Sequence, residues 1–170
     1  RIHRQVLRQA SGWWYHGSLR LRNALAAKHG IDTACVVIGS GSDELISLLA
    51  RVFLEKGDEI VVAEHAFIRY KMAGDLHEAV VTEVPMVDYT HDLEAMKAAV
   101  TDKTKMLFVA NPNNPTGTYV TGEQFAAFMD GVPSDKLVVM DEAYYEYAAS
   151  LEDYPDSLDH WRSGRKNLVI

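Results

Sequence analysis

Four short clusters in this sequence combine residue types that can hold a charged, planar ligand. The first is Gly39-Ser40-Gly41-Ser42-Asp43. Glycines let a backbone approach a ligand closely, and a helix starting here offers N–H groups and the positive end of its dipole, so a phosphate can dock. The same residues also make a tight turn in which Ser42 or Asp43 caps the helix. The dinucleotide pattern G-x-G-x-x-G fails, because Glu44 stands at the third glycine position. No Gly-Lys-Ser/Thr follows, so a Walker loop fails as well. A lone phosphate is favoured over a pyrophosphate.

The second cluster, Asn111-Pro112-Asn113-Asn114-Pro115-Thr116-Gly117, is more specific. Two prolines fix the backbone and Gly117 permits a positive φ, so the asparagine amides point in set directions. The bland alternative is an ordinary turn-rich loop. The third, Met140-Asp141-Glu142-Ala143-Tyr144, puts a carboxylate at the end of an apolar run. An aspartate buried there needs a donor or a cation, and a protonated ring nitrogen serves as one. Asp141 as a helix N-cap is the alternative, and for Tyr144 plain packing. The fourth is His65-Ala66-Phe67, where Phe67 either stacks on a flat ring or joins the core. His65 has no partner at metal-ligand spacing, so no metal is expected. A Gly-x-Ser-x-Gly elbow is absent.

These clusters need elements to position them. Apolar runs at Cys35–Ile38, Glu59–Ala63, Ala79–Val84, Lys105–Ala110 and Leu137–Met140 read as strands, and Asn167–Ile170 as the opening of another. Between them lie helical patterns. Asp43–Glu55 carries Leu45, Leu48, Leu49, Val52 and Phe53, and Ala66–Leu76 follows the second strand. Asp92 caps a helix to Val100, and Thr121 with Gln124 makes a capping box for a helix through Met129. Ser18–Gly30 reads as a helix with Leu21, Ala24, Leu25 and Ala27 inward and Gly30 as its cap. Residues 1–17 show no pattern. Strands alternating with helices imply an α/β fold, a three-layer and mainly parallel sheet with helices on both faces. Such sheets bind ligands beyond the carboxyl ends of their strands, where all four clusters fall. Four loops on one rim point to a single site.

Composition closes off other classes. The 170 residues are 48% hydrophobic and 24% charged, with 17 Lys+Arg against 24 Asp+Glu for a net charge of −7. No basic run tracks a phosphate backbone, so nucleic acid is not an expected partner. No stretch of about 18 apolar residues occurs, so no membrane helix is expected. The lone Cys35 reads as a buried core thiol, in keeping with a reducing cytoplasm. The chain begins without Met and stops in an apolar run, which reads as a fragment.

Taken in order, Gly39-Ser40-Gly41-Ser42-Asp43-Glu44-Leu45, Glu64-His65-Ala66-Phe67, Asn111 to Gly117 and Val138-Val139-Met140-Asp141-Glu142-Ala143-Tyr144 resemble the fold type I pyridoxal-phosphate enzymes. Within that superfamily the likeness is greatest to the class I and II aminotransferases, and among them to those acting on histidinol phosphate. It runs from about Leu21 to Ile170. The resemblance implies pyridoxal 5′-phosphate as cofactor, held by Ser42, Asp43, Phe67, Asn114, Asp141 and Tyr144. Ser42 and Asp43 take the phosphate, Phe67 stacks on the ring, Asn114 and Tyr144 bond its phenolic oxygen, and Asp141 pairs with the ring nitrogen. Asp141 and Tyr144 are thereby the residues closest to the chemistry. It further implies an amino donor and a 2-oxo acid as substrates, histidine synthesis in the cytoplasm, and a homodimer.

Two departures stand out. The family's Schiff-base lysine follows the next strand in a Ser-Lys segment, and none of the chain's lysines has that context. This piece alone is then inactive. Residues 1–30 read as an N-terminal segment and first helix, and 31–170 as an incomplete cofactor-binding domain without the C-terminal small domain. Relatives carry a Tyr-Pro-Asp-Gly-like stretch where this chain has Ser11-Gly12-Trp13-Trp14-Tyr15-His16-Gly17-Ser18, so Tyr15 is left unassigned. Rival expectations are an aromatic aminotransferase, a threonine-phosphate decarboxylase, or a non-catalytic phosphate-binding α/β module.

Overall fold

Strands with few polar residues must be covered on both faces, which is how the second half of this chain folds. The computed structural model describes residues 18–170. The stretch with Trp13, Trp14 and Tyr15 lies outside the described residues. The chain divides into two compact units, 1–45 and 46–170.

In the first unit, α1 spans Ser18–His29 and Gly30 closes it at φ +64°. The expected inward face does not form. Ala26 is the buried residue, while Leu21, Ala24 and Ala27 are exposed. The expected strand at Cys35–Ile38 is also absent. Asp32 instead accepts a bond from Ala34 N at 2.7 Å and caps a single 3-10 turn, Thr33–Cys35. Cys35 is exposed, not a core thiol. Among the described residues no strand pairs with this run, so its β-branched composition finds no ladder to join there.

The helix α2, Gly41–Phe53, crosses from the first unit into the second. The second unit then alternates: β1 Glu59–Ala63, α3 Arg69–Leu76, β2 Val80–Val84, α4 Leu93–Ala98, β3 Thr104–Ala110, α5 Gly122–Gly131, β4 Leu137–Asp141, α6 Tyr145–Ala148, α7 Ser157–Arg162 and β5 Leu168–Val169. The strands form one sheet in the order β2-β1-β3-β4-β5, and every neighbouring pair is parallel. Asp92 caps α4 and the Thr121–Gln124 capping box opens α5, both as the sequence predicts.

Side chains alternate across the sheet. Ile60, Val62, Met106, Phe108 and Val139 face one layer with Ile46, Ala50, Tyr70 and Ala73 of α2 and α3. Val61, Leu107, Val109, Val138 and Met140 face the other, with Met96, Phe125, Phe128 and Met129 of α4 and α5. On α2 the buried side chains are Ile46 and Ala50, whereas Leu48, Val52 and Phe53 are exposed. The three-layer parallel architecture is therefore present, with its strands starting at Glu59.

Candidate functional site

Parallel strands in register deliver their loops to a common rim. Ala110 at the end of β3 stands opposite Asp141 at the end of β4, and β1 pairs with β3 on its other side. The segments His65–Phe67, Asn111–Gly117 and Asp141–Tyr144 thus leave three adjacent strands at one end.

The asparagine loop is held by its own side chains. Asn111 is fully buried; its Oδ1 accepts from Val120 N at 2.8 Å and its Nδ2 donates to Val120 O at 3.2 Å. The Tyr154 hydroxyl donates to the Asn111 carbonyl. Asn113 Nδ2 donates to the His65 carbonyl at 3.0 Å and to Thr116 Oγ1 at 2.8 Å, joining two of the loops. Gly117 adopts φ +74° and its N–H donates to the Asn113 carbonyl at 2.8 Å, the positive φ expected of it. The Asn111–Pro112 and Asn114–Pro115 peptide bonds are cis. His91 is buried near Asn113, and burial pulls its imidazole down to about 4, so the ring is neutral.

Asn114 is not part of this internal bonding. Its Nδ2 donates to the Tyr144 hydroxyl at 3.4 Å on an exposed surface. An open cleft of about 520 Å³ adjoins the pair, lined in part by Pro115, Tyr147 and Leu151, and neither Asp141 nor Phe67 lines it.

Asp141 is half-buried, with one donor on each carboxylate oxygen. Tyr70 Oη donates to Oδ2 at 2.8 Å, and Ala143 N donates to Oδ1 at 3.0 Å. Among the described residues Asp141 forms no ion pair with a lysine, arginine or histidine. Each carboxylate oxygen retains acceptor capacity, so the group suits a further N–H donor carrying positive charge. Tyr70 itself is 1% exposed, stacked on Phe108 at 4.7 Å and meeting Phe67 edge-on at 5.8 Å. Burial, then the Asp141 charge, pushes its phenol far above the usual range, and the nearby Tyr144 adds to this. Tyr70 accordingly links Phe67 and Asp141. It escaped the sequence reading because 71 residues separate it from Asp141. Its place three residues after Phe67, a polar aromatic in a helix facing the sheet, was the available signal.

Glu142 turns the other way. Ser157 Oγ donates to its Oε1 at 2.6 Å. Burial raises its carboxyl from 4.5 to about 7, with Asp156 and Asp141 adding to the rise and the Ser157 bond opposing it. The folded protein thus holds this proton more tightly than the unfolded chain does. The stability from it is complete below about 4.5 and is lost as pH rises through about 7. Glu142→Gln should remove that slope and stabilise the protein at pH 8 by on the order of 1–2 kcal/mol, after discounting for its partial exposure. Thermal unfolding at pH 5 and pH 8 measures this, and an unchanged pH dependence would contradict it.

The turn at Gly39–Asp43 belongs to the first unit. Gly41 takes φ +75° and opens α2, and the Ser40 N–H donates to the Glu44 carboxylate at 2.5 Å. Ser42 is half-buried and Asp43 exposed in the first turn. A Cβ added at Gly39 would lie 3.0 Å from the Leu45 side chain, so the leucine would have to shift.

The family model for aminotransferase class I and II matches residues 13–168. Histidinol-phosphate aminotransferase from Moorella thermoacetica is 45% identical over 150 residues, 88% of this chain and 39% of that protein. The crystal structure of histidinol-phosphate aminotransferase from Sinorhizobium meliloti, in complex with pyridoxal-5′-phosphate, superposes with a TM-score of 0.82 and 31% identity. That match covers 95% of this chain and 44% of the other. L-threonine-O-3-phosphate decarboxylase from Porphyromonas gingivalis shares the fold, with a TM-score of 0.72 at 23% identity over 89% of this chain and 44% of that one. The chain spans about two fifths of the length of the curated relatives it matches. Sequence, sheet topology and family model agree, and the chain belongs to the class I and II aminotransferases.

Proposed function

We propose that the complete protein is a pyridoxal-phosphate-dependent aminotransferase that transfers the amino group of histidinol phosphate to 2-oxoglutarate, as a cytoplasmic homodimer in histidine synthesis. The observation that carries the chemistry is the Asp141 carboxylate at the end of β4, held by two donors with acceptor capacity left over. Its arrangement suits a protonated pyridine nitrogen. Bound pyridoxal phosphate supplies an electron sink, because a protonated ring withdraws density from the substrate carbon that loses its proton.

The chain's own residues bind and orient that ring. Asp141 would accept from the ring N–H, Asn114 and Tyr144 would bond its phenolic oxygen, and Phe67 would cover one face. For the phosphate, the family resemblance assigns Ser42 and Asp43, at the start of α2 where helix N–H groups are free. The substrate rests on what the relatives from Moorella and Sinorhizobium are called. The lysine such a reaction needs has no counterpart among these 170 residues, so the reading applies to the complete protein.

The test is an assay of the complete protein with 2-oxoglutarate and, separately, histidinol phosphate, phenylalanine or threonine phosphate. Histidinol phosphate should be turned over fastest. Turnover of phenylalanine alone would move the protein to the aromatic aminotransferases, and loss of carbon dioxide from threonine phosphate to the decarboxylases. Failure to bind pyridoxal phosphate at all would remove the whole reading.

A further inference from the structure

We propose that Tyr70 is a positioning residue for Asp141, its hydroxyl locking the carboxylate in the orientation that receives a ring nitrogen. The inference rests on the function proposed above. A carboxylate at a strand end rotates about its terminal torsion, which has broad preferences rather than sharp ones. The backbone N–H of Ala143 touches only Oδ1, at 3.0 Å, and by itself leaves Oδ2 without a protein donor. Tyr70 supplies the second point, at 2.8 Å on Oδ2. Two donors on two oxygens define the carboxylate plane.

The donor is itself immobile. Its ring lies parallel to Phe108 within 14°, meets Phe67 at 89°, and is buried to 1% exposure. Phe108 sits in β3, between β1 and β4, so the hydroxyl is referenced to the strand beside the one bearing Asp141. The direction of the bond is fixed too. Burial and the facing negative charge oppose ionisation of the phenol, so it donates at every pH the protein would meet. The edge contact with Phe67 ties the same clamp to the residue proposed to cover the ring face.

The experiment uses the complete protein with its cofactor removed. Pyridoxamine 5′-phosphate and its 1-deaza analogue, in which C–H replaces the ring nitrogen, are titrated into the parent and into Tyr70→Phe. The parent should favour the nitrogen-bearing ligand, and Tyr70→Phe should lower that preference about tenfold, as expected for losing one charge-assisted hydrogen bond. Deaza-analogue affinity should be the same in both proteins. After reconstitution, kcat should fall with KM unchanged. Phe108→Leu, which loosens the ring packing and keeps the hydroxyl, should lower thermal stability without changing the ligand preference.

An unchanged preference in Tyr70→Phe would overturn the positioning role while leaving the proposed function intact. An equal loss in Phe108→Leu would assign the effect to packing and overturn it also. If the parent protein binds neither ligand, the proposed function fails and this inference with it.

Discussion

Replacing Asp141 with alanine in the complete protein is expected to lower transamination by roughly two to three orders of magnitude, the scale seen when one preorganised electrostatic partner is lost. The side chain stands at the last residue of β4, so its removal leaves the strand ladder intact. Cofactor affinity should fall modestly, because the phosphate and the phenolic oxygen would keep the partners proposed for them. The effect lies in charge: without a carboxylate the ring nitrogen is no longer held protonated, and electron withdrawal weakens. Steady-state kinetics beside a cofactor titration separate the two quantities. Near-normal turnover would show that another carboxylate has the role.

The second large effect is on stability. Asn111 mimics a strand partner, giving Val120 both an acceptor and a donor inside the core, and it is fully buried. Asn111→Ala strands the N–H and the C=O of Val120 without partners. At about 1–3 kcal/mol per buried unsatisfied group, a loss of about 3 kcal/mol is expected, partly relieved by any water that enters. The loop above would also lose its foundation, so cofactor affinity should drop with stability. A denaturation midpoint within experimental error of the parent's would mean that Val120 is satisfied another way.

Legibility in the sequence followed burial. From Glu59 to Asp141 every strand was visible, because apolar residues line both faces of the sheet, Val61, Val109 and Val138 on one and Ile60, Phe108 and Val139 on the other. Cys35–Ile38 looked the same and is not a strand, since composition records β propensity and is blind to whether a neighbour exists to pair with. The face of α1 was misread for a related reason: leucines and alanines fix a helix but not which side meets other chain. At the rim, the loops holding Phe67, Asn114, Asp141 and Tyr144 were legible from punctuation by proline, glycine and polar residues. Contacts made across the sheet were not. Tyr70 to Asp141 and Tyr154 to Asn111 join residues far apart in sequence, and no local pattern announces them.

The pairing of Ala110 with Asp141 carries a further consequence. Successive residues of a strand point to opposite faces, so sliding β4 by one position would bring Met140 or Glu142 to the rim in place of the aspartate. A lengthened turn between α5 and β4 leaves that alignment alone, whereas one inserted residue within β4 turns the carboxylate away while the sheet still forms. The ladder between these two strands is therefore a gauge that sets where the carboxylate stands.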